Sequence, residues 1–129
     1  MGESSKFSLR KSERLHNEKL IESVFRSTTY IKSFPLLFIY NKLDNSHLSD
    51  FQVLFSVPKK KFPRAVDRNR IKRLMREAYR LNKQGFHDVF GDKPACGAFI
   101  FTNKELPEIE TIEKSIKKIL KGLHETLRH

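Results

Sequence analysis

Apolar residues at 20, 21, 24 and 25 fall on one helical face. Asn17, just upstream, stands where an N-cap belongs. FPLLFIY, residues 34–40, is a short apolar run that predicts a strand. NKLDNSHLSD, residues 41–50, is rich in turn formers and predicts a hairpin connection. Phe51, Val53, Phe55 and Val57 then alternate with Gln52, Leu54 and Ser56, the period of a half-buried strand, which Pro58 ends. After a basic loop at 59–64, a long helix is predicted over about 65–83, with Ile71, Leu74, Met75 and Ala78 as its buried stripe. Gly85, Gly91 and Pro94 make 84–94 read as a long loop. CGAFIFT, residues 96–102, predicts another strand. Beyond Pro107, a last helix carries Ile109, Ile112, Ile116, Ile119, Leu120 and Leu123 along one face. Residues 1–14 are polar and basic and read as an extended segment.

The order is helix, strand, strand, helix, strand, helix. Strands 51–57 and 96–102 flank the basic helix. As parallel neighbours they would form a βαβ crossover, right-handed by default. Helices over a small sheet make an α+β domain of two layers. A chain of 129 residues fits one such domain, residues 1–129.

Charge changes this picture most. Between Lys59 and Lys83 stand 11 Lys or Arg against Asp67 and Glu77, whereas the whole chain carries +11. The remainder is therefore close to neutral, and the positive field is concentrated on one segment. Such a field implies a polyanionic partner, because Lys and Arg that neutralise phosphates release condensed counterions. Arg68, Lys72, Arg76 and Arg80 repeat at i, i+4. Like charges at that spacing cost roughly 0.2–0.5 kcal/mol per pair, and no ladder of acids offsets them, so a merely solvated face is a poor explanation. Arg70 sits at the flank of the apolar stripe and reads as partly structural.

Catalytic alternatives find little support. Cys96 is the only cysteine and lies in an apolar run, where a buried, inert thiol is expected. The five histidines do not pair with Cys or one another at ligand spacing. Nucleophile motifs and glycine-rich phosphate loops are absent. The longest apolar stretch, Leu36 to Tyr40, is too short to span a bilayer, and no apolar signal region opens the chain. The expectation is a soluble, cytoplasmic protein of a reducing compartment with a polyanionic partner, no membrane and no obligate protein partner. Two alternatives are a structural RNA-binding protein of ribosomal type and a DNA-binding module. The second fits poorly, since a recognition helix usually follows a tight turn from another helix.

RNRIKRLMREAYR, residues 68–80, resembles the RNR signature of the bacterial ribonuclease P protein subunit. LFSVPKK at 54–60 is similar to that family's strand and following Lys pair. FSLRKSERLHNEKLIESVF at 7–25 looks like its first helix and lead-in, and the resemblance covers about residues 7–123. It implies a small mixed sheet of about four strands with three helices and a left-handed crossover. It also implies a subunit that binds a catalytic RNA and the 5′ leader of precursor tRNA, assisting leader removal. Catalysis would belong to the RNA, which would hold the Mg²⁺ ions.

Residue by residue, the resemblance assigns Arg68, Asn69, Arg70, Lys72, Arg73, Arg76 and Arg80 to the RNA subunit. Arg forks suit phosphate oxygens, and Asn69 can bond a base or ribose. Lys59 and Lys60 match the family's Lys pair beside the leader cleft, and Lys61 and Arg64 are further phosphate contacts. Leader recognition is assigned to Ile21 and Phe25 on the first helix and to Phe38 and Tyr40 on the facing strand. Ile21 stands where the family frequently has Phe. Phe62 and Pro63 stand where the family often has Gly in the loop.

Overall fold

The computed structural model describes residue 9 and residues 11–43, 51–91 and 94–127. Helix α1, Glu18–Arg26, starts as its cap predicts: Asn17 Oδ1 accepts the Leu20 N–H at 3.1 Å. A short strand follows, β1, Tyr30–Ser33, which no apolar periodicity announced. It turns through Phe34–Pro35 into β2, Leu36–Lys42. Then come β3, Gln52–Ser56; helix α2, Ala65–Phe90; β4, Ala95–Phe101; and helix α3, Ile109–Leu127.

Helix α2 runs through most of the segment that reads as a loop in the sequence. Gly85 is a weak helix former, and it suggested a break. In the fold it is where α3 crosses: a Cβ there would sit 2.6 Å from Leu120 Cδ2. An added side chain would have to displace the Leu120 side chain, so the glycine marks a close approach of the two helices. The true terminus is Gly91, at φ 62°, whose N–H returns to the His87 carbonyl at 3.0 Å.

The strands form a mixed sheet in the order β1-β2-β4-β3. β4 lies between β2 and β3, antiparallel to the first and parallel to the second. The expected hairpin at 41–50 is corrected: it joins strands that do not pair, and residues 44–50 lie outside the described residues. The expected parallel pairing of β3 and β4 around the basic helix is present. Three helices on a four-stranded mixed sheet give the α+β class foreseen.

The two faces of the sheet are covered unequally. Leu36, Phe38 and Tyr40 of β2, Phe99 and Phe101 of β4, and Val53 of β3 enter the main core under α2 and α3. Ile39, Cys96, Ala98 and Leu54 face the other way, toward Leu20, Ile21 and Val24 of α1. Helix α1 thus adds a partial layer on the face opposite α2 and α3. Cys96 is buried there, and burial pushes its thiol up to about 11. At neutral pH it is protonated and not nucleophilic.

Candidate nucleic-acid interface

The cationic face of α2 forms because its apolar stripe is held by the core. Ile71, Met75, Ala78, Tyr79, Phe86 and Phe90 are buried, and Leu74 packs at the margin. That orientation leaves Asn69, Arg70, Arg73 and Arg76 exposed. Arg70, read as flanking and partly structural, is an exposed cation. Lys72 and Arg80 are half-buried at the edges, and Arg80 is ion-paired with Glu77. Arg73, Arg76, Arg80 and Glu77 line a shallow pocket of about 250 Å³ with Arg14 and Leu9 from the N-terminal segment.

Arg68 has a different first duty. Its guanidinium donates to the carbonyls of Phe62 at 2.9 Å and Pro63 at 2.8 Å. It therefore holds the basic loop against the start of α2. Phe62 is buried, with its ring 5.8 Å from Phe101, and its N–H meets the Pro58 carbonyl at 3.2 Å. The bulky Phe62-Pro63 pair is thus an anchor for the loop. Lys59, Lys60 and Arg64 are exposed, while Lys61 Nζ donates to the Thr102 carbonyl at 2.6 Å.

The segment before α1 is fastened in a way the sequence did not reveal. Lys11–Glu13 forms one 3₁₀ turn, and Arg14 bridges Val53 at the edge of β3. Glu13 is 1% exposed; its carboxylate lies 3.1 and 3.3 Å from Lys83 Nζ and 3.2 Å from His87 Nε2. Gln52 Nε2 adds a bond to the Ser12 carbonyl at 3.0 Å. The extended reading of residues 1–14 is corrected for 11–14; residues 1–8 and 10 lie outside the described residues.

The expected leader cleft is only half assembled by its named residues. Ile21 and Phe25 lie four apart on α1, and Phe25 is 46% exposed. Phe38 and Tyr40 do not face them. Both are buried on the opposite side of the sheet, Phe38 within 4.5 Å of Phe99 and 5.5 Å of Tyr40 between ring centroids. Burial also raises the Tyr40 hydroxyl's pKa. The β2 residue packed with α1 is Ile39, between them, with Leu37 on the same side. Residues 36–40 are apolar at every position, so the sequence did not say which parity faced α1. Ser27 at the end of α1 fixes the approach: its Oγ donates to the Tyr40 carbonyl at 2.7 Å.

An Arg-rich helix face with a basic loop beside it has the chemistry of a protein that binds nucleic acid. The ribonuclease P family model matches residues 9–124. A ribonuclease P protein component of Porphyromonas gingivalis is 43% identical over 117 residues, covering 88% of this chain and 85% of the relative. That of Chlorobium phaeobacteroides is 36% identical over 128 residues, covering 90% and 88%. The solved Staphylococcus aureus RNase P protein shares the fold at TM-score 0.66 and 20% identity, covering 86% of this chain and 94% of that one. The chain belongs to the ribonuclease P protein family.

Proposed function

We propose that this chain grips the ribonuclease P RNA with the α2 face and the leader of precursor tRNA with the α1–sheet cleft. Membership makes it a subunit of the ribonuclease P ribonucleoprotein, whose RNA carries catalysis. The observation that carries the two-surface reading is their separation by the sheet: cations project from α2 on one side, and Phe25 stands exposed on α1 at the other. Two nucleic-acid segments can be held at once without competing. Lys59 and Lys60, exposed in the loop after β3, supply phosphate contacts to the leader.

The Mg²⁺ ions belong to the RNA in this reading. Among the described residues, no three His, Cys, Asp or Glu side chains come together as a metal site. The protein's cations supplement those ions by screening phosphate repulsion. In this reading the holoenzyme works in the cytoplasm, together with its RNA and the precursor tRNA. No helix among the described residues is long and apolar enough to cross a membrane.

Reconstitution tests the reading. Adding the protein to a ribonuclease P RNA is expected to lower the Mg²⁺ concentration needed for leader removal. An unchanged Mg²⁺ requirement would reject it, as would cleavage by RNA-free protein. Arg73→Ala and Arg76→Ala should each weaken RNA binding and reduce its salt slope by about one unit. Folding stability should stay within about 0.5 kcal/mol, since both side chains are exposed. A salt slope unaltered in both variants would move the RNA contact off α2. Arg68→Ala is not equivalent, because it also frees the loop at Phe62 and Pro63.

A further inference from the structure

Tyr30 is 60% exposed, which on its own needs no explanation. Its position does. In the β1–β2 register it stands directly opposite Ile39, and side chains opposite one another share a face of the sheet. Ile39 packs with the α1 residues, so Tyr30 is on the α1 side. Its neighbour Ile31 points the other way, packed in the main core and close to Gly122 of α3.

The pairing brings the two side chains close. The Tyr40 N–H donates to the Thr29 carbonyl at 3.1 Å, which makes 29/40 a hydrogen-bonded pair. The next pair, 30/39, is then a non-hydrogen-bonded one, the kind in which opposite side chains lie nearest, with Cα atoms about 4.5 Å apart. Ser27 ties the end of α1 to Tyr40, and Ser27 Oγ also accepts the Thr29 N–H at 3.1 Å. The chain therefore passes from exposed Phe25 to exposed Tyr30 around one fixed corner. Lys32 follows on the same face as Tyr30, two residues and about 6.8 Å along the strand, and is exposed.

On β2 both aromatics, Phe38 and Tyr40, are turned into the core, and the positions facing α1 are the aliphatic Leu37 and Ile39. An aliphatic surface cannot fully replace a ring for holding an unpaired base. We infer that Tyr30, on the edge strand β1, is the sheet-side stacking platform for a leader nucleotide. Lys32 beside it contacts that nucleotide's phosphate, and Phe25 closes the cleft from α1. This rests on the cleft reading above and adds the residue on which the base stacks.

Because the chain has no Trp, Tyr30→Trp introduces a single reporter. In holoenzyme reconstituted with ribonuclease P RNA, its fluorescence should be quenched by precursor tRNA and not by mature tRNA. Tyr30→Ala and Tyr30→Leu should weaken precursor binding by about fivefold or more, the low end for one stacked base, and leave mature tRNA binding unchanged. Tyr30→Phe should bind as the parent does. The Leu variant keeps apolar bulk, so its loss separates stacking from packing. If Phe25→Ala loses leader affinity and Tyr30→Leu does not, the cleft stands and Tyr30 is not its platform. If neither affects the leader, the cleft reading fails and this inference with it. Equal loss for both tRNA forms would also overturn it.

Discussion

Phe38→Ala should destabilise the protein by about 3–5 kcal/mol, the range for removing a fully buried aromatic side chain. Its ring centroid lies 4.5 Å from that of Phe99, 5.5 Å from Tyr40, 5.9 Å from Phe86 and 6.2 Å from Phe51. The backbone beneath it is shaped to the ring: a Cβ at Gly97 would come within 2.7 Å of Phe38 Cε1. Truncation therefore leaves a cavity among groups that converge on one ring and cannot readily collapse. Denaturant unfolding of the free protein measures it. A loss under about 1 kcal/mol would mean that the ring is not in the core, and the leader role assigned to it from the sequence would return.

Glu13→Ala is expected to cost about 3 kcal/mol, the low end for opening a buried ion pair by removing one partner. The low end applies because Lys83 and His87 keep some solvent contact, with side chains 12% and 21% exposed. The carboxylate joins the segment before α1 to α2 across 70 residues of chain. Its loss should free Arg14 from the edge of β3 as well as lower stability. A double-mutant cycle with Lys83→Ala isolates the pair. Additive single effects would show that Glu13 is not coupled to Lys83.

Helix positions were legible because a 3.6-residue period and a cap are local signals. The 20, 21, 24, 25 spacing and Asn17 placed α1, and the Ile71, Leu74, Met75, Ala78 stripe oriented α2. The alternation from Phe51 to Val57 likewise placed β3. Gly85 misled because a glycine in a helix has two causes, a break or a close approach, and only the position of Leu120 distinguishes them. Strand β1 was silent because Tyr30–Ser33 buries little and gains its place by pairing with β2.

The sequence by itself determined the concentration of charge, the helix that carries it and the family signature along that helix. Each depends on residue type at short spacing, and a helix that buries one stripe must expose the other. Only the tertiary structure decided which parity of β2 enters the main core, since five consecutive apolar residues fit either face when helices lie on both. It decided too that β4 separates β2 from β3, that Arg68 secures a loop, and that Glu13 meets Lys83 and His87. These are contacts between residues distant in sequence. Their free energies depend on which partners the packed chain brings within reach, and no local pattern encodes that.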